Sequence, residues 1–309
     1  MSMRVPNTIR SRALDRLDIS SWTSSITVFV HALSCGHFTL LEPQFVKPSP
    51  LEARRTVRCL APLIQHRDSG VDKLTRILLD LSLRRDLGRY PLPIQKHTEN
   101  RRPIITEPDI IKNVAKGGLA PDDIDYVIYS HVHWDHVGEP RDFQLSTFVV
   151  GHGPLTLLAA TSPKFRGGHS VFEPDLLPEE RSIELSDPSS DSLRNQDSAV
   201  APGTLNFNAP WRPHGSIPQT IDLFNDDNHQ IYPDDDACHD RRFLTGEKET
   251  DEWTDAEGHV CCIHANREQA EETIGRIRVL EKESIGVIFA HDFEWEDESR
   301  NRSKFFGVE

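Results

Sequence analysis

Residues 125–138 read DYVIYSHVHWDHVG. DYVIYS is a short apolar run of the kind that forms an interior strand. It ends directly in three histidines and one aspartate packed into six positions. Crowded imidazoles are unfavourable unless something uses them, since protonated rings repel and buried rings need partners. A fold that accepts this sequence must therefore deliver His131, His133, Asp135 and His136 to the end of a strand, where they share a target. His131 and His133 alternate, so on extended chain their side chains point the same way. Asp135 and His136 follow on a turn and aim elsewhere. Neutral imidazoles and a carboxylate suit zinc and similar divalent ions. Four ligands in two distinct pairs fit two ions sharing a bridging water better than one.

The rest of the chain supplies strands and helices around this segment. Residues 25–45 mix β-branched and aromatic residues around a glycine and read as a hairpin. TRILLDLS, residues 75–82, reads as a buried strand that gives way to the polar residues Arg84, Arg85 and Asp86. TEPDIIKNVAKGG reads as a short helix with Thr106 as its cap, Pro108 in its first turn and Gly117 and Gly118 stopping it. STFVVGHG is a further strand. TIDLF and HQIY, joined by NDDN, form a hairpin. Residues 266–284 carry Ala270, Ile274, Ile277 and Leu280 at helical spacing, with Asn266 and Gln269 as a box-like start. GVIFAHD then reads as a strand ending at His291. Strands alternating with helices give an α/β layered protein, with polar residues gathered past the C-terminal ends of strands, where such sheets build sites.

Charge and composition narrow the partners. Forty-nine acidic residues against 35 basic ones give a net charge of −14. Such a surface repels phosphate backbones and anionic lipids, so neither nucleic acid nor membrane is an expected partner. No run of about eighteen apolar residues exists to span a bilayer. The first twenty residues lack the apolar centre of a signal peptide. Five cysteines, an odd number without CxxC spacing, argue against a disulfide framework and for a cytoplasmic setting. Cys261 and Cys262 read as small buried residues, and the surrounding HVCCIH as a strand segment, its spacing matching no common zinc pattern. Residues 1–24 form an N-terminal extension to a domain over 25–309. A Ser-, Asp- and Pro-rich stretch at 185–204 is a surface loop or insertion within it. Trp134 is expected to pack beside the histidine cluster, and His152 to sit on a loop.

SHVHWDHVG, with RILLDL before it and DACHD and FAHD after it, resembles the metallo-β-lactamase superfamily, and within it a fungal branch of lactonase-like and γ-lactamase-like members. The resemblance covers roughly residues 25 to 300. It implies a four-layer αββα sandwich, and two divalent metal ions, Zn²⁺ by the family's habit. His131 and His133 would bind the first ion. Asp135, His136 and His291 would bind the second, and Asp236 would bridge. Asp80 matches a position that orients a ligand imidazole. The implied reaction is attack by activated water on an ester, thioester, lactone or lactam carbonyl, with Asp135 serving the site. His239 stands where lactonases of the family place a tyrosine donor. The implied substrate is a small cyclic ester or amide, a lactone or γ-lactam, in breakdown of xenobiotic or plant-derived compounds.

One part of the family pattern is absent. The third histidine of the first ion normally lies in a P-G-H segment, and this chain has none. Either His214 of WRPHGSIPQ takes that place, or a block of strands near residue 233 is missing. In the second case the chain is a truncated, weakly active or inactive member.

Overall fold

The computed structural model describes residues 26–68, 72–159, 171–189, 203–214, 217–225, 230–231, 240–250, 252–254, 260–262, 267–282 and 286–308. In chain order the elements are β1 (Ile26–Leu41), β2 (Val46–Lys47), β3 (Arg54–Asp68), β4 (Lys73–Leu79), α1 (Leu92–Glu99), α2 (Ile110–Lys116) and β5 (Tyr126–Ile128). Then come α3 (Trp134–Val137), β6 (Thr147–Val150), α4 (Pro154–Leu158), β7 (Ser182–Glu184), β8 (Arg212–His214), β9 (Ile217–Asp222) and β10 (Gln230–Ile231). The last are α5 (Arg242–Thr245), β11 (Glu249–Thr250), β12 (Glu252–Thr254), β13 (Val260–Cys262), α6 (Arg267–Lys282) and α7 (Phe293–Asp297).

A six-stranded sheet runs in the order β1-β3-β4-β5-β6-β7. Its first three strands are antiparallel neighbours, and β4 through β7 are parallel. The parallel half alternates its residues between two cores. Leu78, Val127 and Phe148 enter one cluster, which also holds Ile94 of α1, Val114 of α2 and Ile274 of α6. Ile77, Ile128 and Val149 enter the other, against Trp211, Ile221, Leu223 and Phe224 on and beside a smaller sheet, β10-β9-β8. Fully burying each such side chain contributes about 1.5–3 kcal/mol. A one-residue slip would exchange the two faces, so this alternation fixes the register. Among the described residues, helices meet the large sheet on the face opposite the small one. The mixed α/β architecture with a central sheet is the expected fold class.

Three local expectations need correction. The glycine in residues 25–45 does not close a hairpin: β1 continues through it and pairs with β3 from Ile26↔Asp68 to Leu41↔Arg54. The register shifts between Ser34 and His37, and Gly36 sits in that irregularity at φ +90. A Cβ there would lie 2.2 Å from the Ile105 carbonyl oxygen, because His37 and Ile105 exchange backbone hydrogen bonds at 2.8 Å. The glycine serves a bulge and a close approach. The second correction concerns α2. Its cap is Asp109, whose side chain accepts from the Lys112 N–H, while Thr106 donates its hydroxyl to the Arg85 carbonyl at 2.9 Å. Third, GVIFAHD is irregular from Gly286 to Phe289. Single bonds hold it, Leu60 N–H to the Ala290 carbonyl at 2.8 Å and Arg241 Nη2 to the Val287 carbonyl at 2.9 Å, so no strand ladder forms.

Candidate metal centre

Strands β4 and β5 lie side by side and parallel, with Leu79 opposite Ile128. Both chains therefore leave the sheet at the same edge. On β4 the exit is Asp80, at φ +63, a left-handed conformation that aspartate tolerates better than most residues. The turn anchors Asp80 N–H on the Ile128 carbonyl at 2.9 Å and Leu81 N–H on the His136 carbonyl at 2.8 Å. Gly138, at φ +55, closes against the same place, where a Cβ would lie 2.6 Å from the Leu81 carbonyl oxygen. The backbone of the histidine loop is thus stitched to the end of β4 on both sides.

The Asp80 carboxylate is buried and organises the loop. It accepts from the Ser130 N–H at 2.9 Å, the Ser130 hydroxyl at 2.7 Å and His136 Nδ1 at 2.9 Å. A carboxylate only accepts, so His136 carries its proton on Nδ1 and presents Nε2 as a lone-pair donor. The Ser130 hydroxyl has spent its hydrogen on Asp80, and so its oxygen accepts from His131 Nδ1 at 3.0 Å. That fixes His131 in the same tautomer. His131 Nε2 then meets His133 Nδ1 at 2.8 Å, as expected of residues pointing one way. The rings of His131 and His136 lie 4.1 Å apart.

His291 arrives from the far end of the chain. Its Nδ1 donates to the Arg58 carbonyl on β3 at 2.7 Å, and its Nε2 lies 3.4 Å from Asp135 Oδ2. Asp135, His136 and His291 each offer an atom within 4.8 Å of the other two. Burial opposes ionisation of Asp135, but the adjacent His291 and the nearby His136 and His133 outweigh it. They hold the carboxyl well below its ordinary range. Two imidazoles with secured Nδ1 atoms and one ionised carboxylate are a donor set that fits a divalent cation.

The structure thus brings Asp135, His136 and His291 into one group and sets His131 and His133 beside it. Asp236 and His239 lie outside the described residues. Beyond them in the chain, Arg241 binds Asp292, the residue after His291, at 2.6 Å. His214 is exposed on β8, the edge of the small sheet. His152 is also exposed, 3.5 Å from Glu184. Trp134 is buried against Phe38, Tyr90 and His97. Cys261 and Cys262 lie on β13, which pairs with β12.

Sequence reasoning missed the support beneath the loop. Arg84 is 1% exposed. It donates to both Glu173 oxygens at 2.9 and 3.0 Å, to the Gly138 carbonyl at 3.0 Å and to the Arg89 carbonyl at 2.6 Å. Tyr90 donates to the Trp134 carbonyl at 2.6 Å. The one sequence signal was the arginine itself, placed just after a buried strand.

Residues 98–227 match the family model described as "Metallo-beta-lactamase superfamily". Among curated proteins, the chain is 39% identical over 85 residues to the monooxygenase mpaDE of Penicillium roqueforti, covering 25% of this chain and 10% of that one. It is 31% identical over 93 residues to gamma-lactamase FDB1 of Fusarium pseudograminearum, covering 29% and 22%. The matches thus span well under half of these relatives' length. Among solved structures, a variant of Bacillus thuringiensis AiiA with N-decanoyl-L-homoserine bound at its active site aligns over 87% of this chain and 96% of its own. The TM-score is 0.54 and the identity 21%, a likeness of fold.

Proposed function

We propose that this chain, whose residues 98–227 match the metallo-β-lactamase superfamily, is a metal-dependent hydrolase of that family that opens a small cyclic ester or amide, a lactone or γ-lactam. The observation that carries the proposal is the convergence of Asp135, His136 and His291 within 4.8 Å, with both imidazoles held in the ligand tautomer by partners behind them. His131 and His133 would hold one Zn²⁺, Asp135, His136 and His291 a second, and Asp236 would bridge them. Bound there, the ions supply Lewis acidity that polarises a carbonyl and lowers the pKa of water. The chain's own residues do the positioning. Asp80 and the Arg58 carbonyl orient two rings, Ser130 orients a third, and Phe38 and Trp134 wall the group on one side. His239 would donate to the leaving group. The curated similarity to a γ-lactamase and the fold shared with a homoserine-derivative-binding enzyme favour a small-molecule lactam or lactone substrate.

A second reading, a family member lacking one ligand of the first ion, is favoured by one observation. His214 is exposed on β8, and only residues 232–239 connect β10 to Asp240. The two readings separate on metal content. Wild type, His291→Ala and His214→Ala would be purified with zinc and analysed by mass spectrometry. We expect His291→Ala to lose an ion and His214→Ala to lose none. Two tightly held ions in wild type, one of them lost in His214→Ala, would remove the second reading. No turnover of any lactone, lactam or thioester by the zinc-loaded protein would remove the first.

A further inference from the structure

Arg101 follows α1, within reach of the charge of Asp135. Its carbonyl accepts from the Thr39 N–H at 2.9 Å. Thr39 follows Phe38, whose ring meets His291 and Trp134 at 5.4 and 4.9 Å. The Arg101 side chain is held on three sides. Nε donates to His97 Nε2 at 3.3 Å, Nη1 donates to Gln44 Oε1 at 3.3 Å, and the guanidinium lies 5.5 Å from the centre of the buried Phe45 ring. His97 in turn packs on Trp134 at 5.8 Å, one residue before Asp135.

The neighbours that hold this guanidinium are neutral. Several other buried or half-buried arginines are matched with carboxylates, Arg84 with Glu173, Arg241 with Asp292 and Arg242 with Asp240, whereas Arg181 and Arg278 donate to the backbone carbonyls of Phe143 and Phe243. Arg101 forms no such pair among the described residues. Of the five N–H donors of a guanidinium, two are engaged among the described residues. Burial disfavours its charge, and the through-space influence of Asp135 partly offsets this. A fixed, half-desolvated guanidinium near Asp135, without a carboxylate partner among the described residues, is suited to a planar anion. The next arginine, Arg102, is paired with Glu99 at 3.2 Å, so this spot offers one cation. One cation with a fork matches a carboxylate better than a phosphate dianion.

We infer that Arg101 binds a carboxylate carried by the substrate apart from the cleaved carbonyl, and so selects lactones or lactams bearing an anionic substituent. The inference deepens the hydrolase reading and rests on it. In a chain of net charge −14, whose general field disfavours anions, Arg101 supplies the local exception.

The test uses two probe pairs. One is a γ-lactone with a ring carboxylate and its neutral carboxamide, assayed for turnover by zinc-loaded wild type, Arg101→Gln and Arg101→Lys. The other is tetrahydrofuran-2-carboxylate and its carboxamide, which have no bond to cleave, measured by calorimetry. In Arg101→Gln the preference for carboxylate over carboxamide, as the ratio of kcat/KM, should fall about tenfold or more, the worth of a hydrogen-bonded charge. The fall should come through KM. Arg101→Lys should restore part of it. Calorimetric preference for the carboxylate should fall in parallel. An unchanged ratio in Arg101→Gln, with its thermal unfolding unaltered, overturns the assignment, as does a wild type that binds acid and amide equally. If wild type cleaves nothing but binds the acid selectively through Arg101, the hydrolase reading fails and the anion site stands.

Discussion

Asp80→Asn is nearly isosteric, yet it should disable a residue that it leaves untouched. The carboxylate accepts from Ser130 N–H on Oδ1, and from the Ser130 hydroxyl and His136 Nδ1 on Oδ2. Asparagine keeps one acceptor oxygen, which can still serve Ser130 N–H. Its amide group then faces His136 Nδ1–H, donor against donor. The conflict resolves if His136 moves its proton to Nε2 and accepts at Nδ1. Nε2 then has no lone pair for a cation. Losing an outer partner of a ligating histidine weakens metal binding about 10–100-fold, or about 1.4–2.7 kcal/mol. In metal-free protein, two hydrogen bonds to a buried charge become weaker or are lost, a cost of about 2 kcal/mol. Zinc affinity would be read by competition with a chromophoric chelator, stability by urea unfolding in EDTA, and the tautomer by nitrogen-15 shifts of the imidazoles. A variant in which His136 keeps its proton on Nδ1 and zinc affinity stays within twofold of wild type would refute the reasoning.

Three further outcomes follow from the same geometry. Arg84→Met leaves Glu173 and the Gly138 and Arg89 carbonyls without their shared donor, so urea unfolding should show a loss of about 3 kcal/mol. Gly138→Ala places a Cβ 2.6 Å from the Leu81 Cβ and carbonyl oxygen at a positive φ. It should cost at least about 2 kcal/mol and reduce bound metal, because the loop must lift from β4. Burial opposes charging of Asp240, but hydrogen bonds from Arg242 and the charge of Arg55 outweigh it and lower its pKa. A lowered folded-state value means stability that is present above the unfolded pKa of about 3.9 and lost as pH falls through the folded value. The stability gap between wild type and Asp240→Asn should therefore be widest near neutrality and shrink as pH falls below about 4, by urea unfolding at each pH.

The loop around the histidines was legible because its information is local. Alternation of His131 and His133, and a turn at Asp135, follow from spacing along a few residues. Strands β5 and β6 and helix α6 were equally readable, each announced by its own apolar period. The glycine at position 36 was not. A positive φ serves a hairpin turn and a bulge alike, and only pairing along the whole of β3 decides between them. The segment before His291 misled in the opposite way, since an apolar run became irregular chain once its neighbours offered single bonds.

The sequence by itself determined the donors: four metal-suited residues at the end of a strand, and an α/β order of elements to carry them. Tertiary structure decided which nitrogen each donor presents. His136 owes its tautomer to Asp80, His291 owes its own to the Arg58 carbonyl, and the loop rests on Arg84 and Glu173. These partners are far apart in the chain, and nothing in local propensity encodes such pairings. They exist because β4 and β5 leave the sheet side by side, and because β3 presents a carbonyl where the last segment of the chain crosses it.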